Sequence, residues 1–111
     1  MSHADVYAAV SKHVECCHME WPNDQNPPVP FAAYLLDYDQ PIVAGDEQVA
    51  VKRKWIVELY EKRRDKALEE ALADELRAAF GSVRRDENWI ENDNLLQVVY
   101  TFYELEGDFD G

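Results

Sequence analysis

Four residues of the types that bind metal ions lie close together near the start of the chain: His13, Cys16, Cys17 and His18. Zinc takes thiolate and imidazole ligands, usually four of them. On a helix, His13 and Cys17 would share a face because they are four residues apart, and could hold an ion between them. Two ligands do not make a zinc site, however, and His3 is the only other His or Cys in the sequence. We therefore expect no metal here, only the end of a helix.

The residue patterns of enzyme active sites are equally weak. The 23 Asp and Glu residues fall in runs typical of a solvated surface, such as Glu69 and Glu70, rather than as two carboxyls facing each other across a cleft. Only four glycines are present, and none has the spacing of a phosphate-binding loop. No nucleophile motif surrounds any of the three serines, Ser2, Ser11 and Ser82. The sequence therefore predicts a protein that is not an enzyme and that binds no cofactor.

Length and charge restrict the class of protein further. The chain has 111 residues, of which 47% are hydrophobic, which suits one domain with one core. Its 11 Lys and Arg against 23 Asp and Glu give a net charge of −12, which repels nucleic-acid phosphates and anionic membranes. No apolar run approaches the roughly 20 residues that cross a bilayer, and the start lacks the pattern of a secretion signal. Because Cys16 and Cys17 are adjacent, they cannot link distant segments. We expect a soluble intracellular domain in a reducing compartment.

The cations are unevenly distributed along the chain. Seven of the 11 form two groups, the first being Lys52, Arg53 and Lys54 and the second Lys62, Arg63, Arg64 and Lys66. One interpretation is an interface for an acidic surface on another copy or on a partner. The other is charge balance within the chain, around the second helix. The residues alone leave both interpretations open.

The first half of the chain predicts a helix, a loop and two strands. A helix is expected from about Ala4 to about Cys16, because three valines form an apolar stripe at helical spacing. The segments that follow are a proline-rich loop at Trp21–Pro30, a strand at Phe31–Leu36, a polar turn region at Asp37–Asp46 and a strand at Val49–Tyr60. The last of these alternates with period two, as in a long antiparallel strand covered on one side.

The second half predicts one helix and a pair of strands. The helix is expected from about Asp65 to Phe80, where leucines recur on one face and a glycine follows. Strands at Val83–Ile90 and Leu95–Leu105 are joined by a tight polar turn, and the acidic end, Glu106–Gly111, is expected to fray. The order α-β-β-α-β-β predicts a single α+β domain over residues 1–111. It has two layers, with a mostly antiparallel four-stranded sheet and helices on one face.

Three stretches of the sequence form a recognisable set. They are Pro27-Pro-Val-Pro-Phe-Ala-Ala-Tyr-Leu35, then Lys54-Trp-Ile-Val-Glu-Leu-Tyr60 leading into Lys62-Arg-Arg-Asp65, and the ending Trp89-Ile-Glu with Leu95-Leu and Val98-Val-Tyr100. Together they resemble the tail-completion, or head–tail joining, proteins of long-tailed siphophages and prophages, over about Val6 to Glu104. The sequence departs from the family pattern where Tyr60-Glu-Lys-Arg-Arg-Asp replaces the more usual Tyr-Thr-x-x-Lys-Asp, which makes this junction more basic.

The resemblance implies a non-enzymatic structural protein of the virion, similar in fold to tail terminators. Such a protein completes the tail and joins it to the head as a homo-oligomeric ring of six copies at the head-proximal end of the tail. The implied partners are other copies of the chain, the tail tube protein and the head–tail connector proteins. DNA passes through the ring without specific binding, and assembly takes place in the cytoplasm of the bacterial host.

The resemblance also gives a role to the basic groups and to two loops. Asn23–Pro28 and Ile42–Glu47 are candidate docking arms for the tube or the connector. The predicted interface residues are Lys52, Arg53, Lys54, Lys62, Arg63, Arg64 and Lys66, together with Asn23, Asp24, Gln25 and Asn26. The acidic charge suggests a different function as an alternative, a small module that imitates DNA and inhibits a host nucleic-acid enzyme. The basic strand argues against this alternative, because a DNA mimic is expected to array acids along one face.

Overall fold

The computed structural model describes residues 3–18, 29–91 and 94–107. Within these residues the elements are α1 (His3–Ser11), β1 (Glu15–His18), β2 (Phe31–Ala44), β3 (Glu47–Glu61), α2 (Lys66–Phe80), β4 (Val83–Ile90) and β5 (Leu95–Gly107). The strands form one sheet with the spatial order β1-β2-β3-β5-β4. β1 is parallel to β2, and the other neighbours are antiparallel. The fold is therefore α+β with a mixed five-stranded sheet.

Helix α2 begins and ends at residues suited to cap it. The side chain of Asp65 accepts a hydrogen bond from the backbone amide of Leu68 at 3.1 Å and so satisfies a free donor of the first turn. Gly81, with φ of +93°, follows the helix, and its amide donates to the carbonyl of Arg77. The sequence therefore predicted this helix to within one residue. Neither helix in the described part of the chain has the length and apolarity needed to cross a membrane.

Both helices pack on one face of the sheet and enclose a single core. Alternate residues of β3, Trp55, Val57 and Leu59, have buried side chains in it, as the period-two pattern predicted. The other large contributions are Val6 and Val10 from α1, Leu72 and Leu76 from α2, and Val98, Tyr100 and Phe102 from β5. Each fully buried side chain of this kind stabilises the fold by about 1.5–3 kcal/mol before the cost of ordering it.

The N-terminal region differs from the prediction. α1 ends at Ser11 rather than near Cys16, and the residues that follow it form β1, in which Cys16 lies opposite Ala32 of β2. The apolar stripe is still used, because Val14 joins the core beyond the end of the helix. A four-residue strand is held by the strand it pairs with, so the local sequence carries little sign of it. The sheet consequently has five strands rather than four, and one of its four pairings, β1 with β2, is parallel.

The hairpin between β2 and β3 is much longer than predicted. The strand expected to end at Leu36 continues to Ala44, so most of the expected polar turn region is one half of a hairpin arm. The turn itself contains only Gly45 and Asp46, and Gly45 has φ of +66°, where glycine is favoured. Polar residues fit here because this half of β2 is largely exposed. Pro41 lies in the part of β2 whose outer edge pairs with no described strand.

The C-terminal strand also extends further than predicted. β5 continues to Gly107, which lies opposite Ala50, so Glu106 and Gly107 belong to the sheet rather than to a frayed end. The predicted frayed end also includes residues 108–111, which lie outside the described residues. The same holds for residues 19–28, which include most of the proline-rich segment and the predicted interface residues Asn23, Asp24, Gln25 and Asn26.

Strand β3 sets the long dimension of the molecule. Its 15 residues span about 45 Å at roughly 3.3 Å per residue, and the protein measures 50 × 28 × 22 Å. At one end of β3 lies the segment that we call the hairpin tip, Val43–Glu47. At the other end β3 leads into the segment that we call the basic loop, Lys62–Lys66, whose last residue begins α2. The hairpin tip and the basic loop therefore lie at opposite ends of the molecule.

Removing the N-terminal cap tests how far α2 depends on Asp65. We expect Asp65→Ala to lower the free energy of unfolding by about 1 kcal/mol, because the amide of Leu68 loses its acceptor. Asp65→Asn keeps an acceptor and should lose much less. Chemical denaturation followed by circular dichroism measures both values. Equal losses in the two variants would show that the charge of Asp65 matters and its hydrogen bond does not.

Candidate functional site

The basic loop presents cations that the fold does not neutralise. Lys62, Arg63 and Lys66 are exposed, and none of them forms an ion pair with any residue that the structure describes. The five residues of the basic loop are four cations and one acid, Asp65. The side chain of Asp65 is engaged in capping α2. The loop is therefore a concentrated positive surface on a molecule whose net charge is −12.

An open concavity lies against the basic loop. Its volume is about 570 Å³, and its lining combines the loop with Val29, Pro30 and Glu61. One wall is thus apolar and the other strongly basic. Because the concavity is open to solvent, it suits a protruding segment of another protein better than an enclosed small molecule.

Arg64 holds the loop in place against the rest of the fold. Its guanidinium forms an ion pair with Glu87 of β4, and its Nε lies 3.7 Å from a carboxylate oxygen of Glu69 in the first turn of α2. The hydrogen bond to Glu87 raises the pKa of Arg64, which keeps this side chain charged. Arg64 therefore differs from its three basic neighbours, because its charge is paired with acids of the same chain.

A buried acid pair lies beneath the loop. Glu61 is only 1% exposed, and neither of its side-chain oxygens makes a hydrogen bond of normal geometry to a described residue. Burial, and then the neighbouring carboxyl of Glu69, raise the pKa of Glu61 to about 8. The helical turn that carries Glu69 is tied to the sheet by the hydroxyl of Tyr100, which donates to the Glu69 carbonyl at 2.8 Å. This shift favours the neutral form of Glu61 and so reduces the negative charge beside the concavity.

Sequence reasoning missed Glu61, although a signal for it was present. Residues 55, 57 and 59 of β3 point into the core, and the same alternation places residue 61 inward as well. An acid at an inward position of a strand is unusual enough to mark a site. The predicted strand ends one residue earlier, at Tyr60, and so does not include this inward acid.

Arg53 belongs to a different environment from the basic loop. Its Nη1 lies 2.8 Å from Glu104 and 2.5 Å from Glu106, both on β5, and its Nε lies 3.4 Å from Asp39 of β2. Hydrogen bonds to Glu104 and Glu106 raise the pKa of Arg53, and Arg53 in turn lowers the pKa of Glu106. The guanidinium thus joins three strands and is neutralised by the strands on either side.

The two lysines beside Arg53 also find partners within the chain. Lys54 lies 3.3 Å from Asp37, and the Nζ of Lys52 lies 4.8 Å from the ring centroid of Tyr103. Along β3, Lys54 and Lys62 are eight residues apart, which corresponds to about 26 Å. The structure therefore does not bring the two predicted basic groups together, and the second group keeps cations that form no ion pair with a described residue.

The residues considered for zinc do not share a helix. His13 follows the end of α1, and its Nε2 lies 3.2 Å from Oε1 of Glu75 on α2. Cys17 and His18 lie on β1, so the helical spacing on which a shared ion would depend is absent. Burial raises the pKa of Cys16 to about 12, which keeps this side chain a neutral thiol. Within the described residues, no three side chains of His, Cys, Asp or Glu are grouped so that they could hold a metal.

The hairpin tip has the opposite character from the basic loop. Val43 is 59% exposed, and the nearby Ile42 and Val49 are also exposed. Asp46 and Glu47 at the turn are exposed acids that form no ion pair with a described residue. The sequence had marked Ile42–Glu47 as a docking arm, although it placed this segment in a turn region rather than at the end of a long hairpin.

The charge state of Glu61 predicts a pH dependence of stability. An ordinary Glu releases its proton near pH 4.5, whereas folded Glu61 keeps it up to about pH 8. The folded state therefore binds more protons within this window, and stability falls as the pH rises through it. We expect the stability of Glu61→Gln, which cannot ionise, relative to the natural chain to grow by about 3 kcal/mol as the pH rises from 5 to 8.

Urea denaturation of both proteins at several pH values measures this gain. Glu91→Gln is the matched control, because Glu91 is exposed and the same change should leave the pH profile unaltered. Parallel pH profiles for Glu61→Gln and the natural chain would contradict a protonated Glu61.

Comparison with known proteins adds a likeness in fold. No protein-family model matches the chain, and no curated protein matches it. Among solved structures, the chain is similar to a chain of a structure described as "Virion of native gene transfer agent (GTA) particle". The TM-score is 0.53 and the sequence identity is 14%, and the match covers 96% of this chain and 87% of that chain. The two chains therefore share a fold over almost their whole length.

Proposed function

We propose that this chain is a non-enzymatic structural protein of a virion, which completes the tail of a long-tailed phage-like particle and joins it to the head. The observation that carries the proposal is the likeness in fold, over 96% of the chain, to a chain of a gene transfer agent virion. The sequence motifs that resemble siphophage tail-completion proteins support the same role. They include the strand Lys54–Tyr60, which lies at the centre of the sheet.

A ring of copies at the head-proximal end of the tail fits the charge of the chain. A net charge of −12 gives the wall of a DNA channel a repulsive surface, so that DNA slides through without adhering. Copies with this much like charge need attractive contacts to remain together. The cations of the basic loop that have no ion pair with a described residue are suited to supply such contacts. In this proposal the partners are further copies, six in the ring, with the tail tube protein and the connector proteins on either side.

The proposed absence of catalysis is supported by the chemistry of the concavity. Its lining offers cations and a protonated carboxyl that is buried beneath them. None of the three described histidines, His3, His13 and His18, lines it. A lining rich in Lys and Arg suits pairing with an acidic surface.

Deletion of the gene from the phage or prophage that encodes it tests the role directly. We expect full heads and separate, irregularly ended tails in place of joined particles, because nothing would close the tail at its upper end. Electron microscopy and a plaque assay measure both consequences, and the natural gene supplied in trans should restore joined particles. Normal infectious particles without the gene would overturn the proposal. Competition with DNA for a nuclease, in the presence of normal particles, would favour the DNA-mimic function instead.

A further inference from the structure

The two ends of β3 carry complementary surfaces on the same chain. The basic loop has three exposed cations without a described partner, Lys62, Arg63 and Lys66. The hairpin tip lies at the far end of a strand of about 45 Å. It has two exposed acids, Asp46 and Glu47, which likewise form no ion pair with a described residue. Because they lie so far apart in one molecule, the two surfaces cannot neutralise each other within a copy. They can do so only between copies.

One end of the molecule projects and the other is hollow. The hairpin tip is a narrow two-strand projection that ends in a two-residue turn, and the concavity beside the basic loop is open, with a volume of about 570 Å³. The tip also carries an exposed apolar side chain, Val43, and the concavity has an apolar part at Val29 and Pro30. Charge pairing and burial of apolar surface would act together if the two ends met.

We propose that the hairpin tip of one copy docks into the basic-loop concavity of the next copy. This inference rests on the proposed ring and specifies the contact between its neighbours. The contact is heterologous, because different surfaces of the two copies meet, and such a contact repeats head to tail until it closes into a ring. The second copy is favoured over another occupant because it carries a matching acidic and apolar projection, and because every copy in a closed ring then uses both of its ends.

Charge reversal with exchange between variants tests the contact. The loop variant, Lys62→Glu with Arg63→Glu, and the tip variant, Asp46→Lys with Glu47→Lys, should each self-associate at least about tenfold more weakly than the natural chain. An equal mixture of the two variants should associate again, because each one then offers a complement to the other. Sedimentation velocity over a range of concentrations measures all three samples, and circular dichroism verifies that the variants are folded.

Two further variants serve as controls for the change in net charge. Arg84→Glu and Glu91→Lys alter exposed side chains outside both surfaces, and we expect them to leave self-association within about twofold of the natural chain. Association of the loop and tip variants at natural strength, or no association of their mixture, would overturn the proposed contact. A natural chain that stays monomeric up to about 1 mM would overturn it too.

Cross-linking locates the contact independently of affinity. A carbodiimide joins a carboxylate to an amine only when they touch, and a mixture of light and ¹⁵N-labelled chains separates links between copies from links within one. We expect mixed-isotope peptides that join Asp46 or Glu47 to Lys62 or Lys66. Links between copies at other positions only would overturn the contact. They would not affect the proposed function, which the deletion experiment tests separately. Joined particles without the gene would remove the function and leave any measured contact in place.

Discussion

Everything in this fold depends on β3 being hydrogen-bonded along both edges. It pairs with β2 from Phe31 to Ala44 on one side and with β5 from Leu96 to Gly107 on the other. Because its backbone groups are satisfied over almost the whole length, the strand is held extended for about 45 Å. One half of it supplies the centre of the core through Trp55 and its inward neighbours. The other half projects beyond the helices as a hairpin arm, where Arg53 joins the three strands by ion pairs.

The same strand separates the charges of the molecule. The cations in its middle are matched by acids of β2 and β5 that the chain folds back beside them. At its end, in contrast, the basic loop leaves the sheet, and among the described residues only Arg64 of this loop forms ion pairs. Burial raises the pKa of Glu61, which lies under the loop, and so favours its neutral form. An acidic chain thus keeps one end positive, and in the proposed ring that end is what allows like-charged copies to hold together.

Much of the fold could be predicted where the signal is local. The alternation of β3, the period of α2 and the glycine that follows α2 each depend on neighbouring residues, and they predicted bounds within two residues of the structure. β1 and the outer half of β2 were missed, because a short strand and a polar exposed strand are stabilised mainly by the strands that they pair with. The two basic groups looked alike in the sequence for a similar reason. The acids that neutralise Arg53 follow it by about 50 residues, so only the folded sheet distinguishes its group from the basic loop.

The central claim is that copies of this chain associate head to tail and close on themselves. Native mass spectrometry of the purified protein, over a series of concentrations and with negative-stain images of the same samples, tests it most directly. We expect one closed species of fixed copy number, six in the proposed ring, which is lost when the salt concentration screens the contacts. A strict monomer at every concentration, or an even ladder of sizes without a preferred closed form, would contradict the claim.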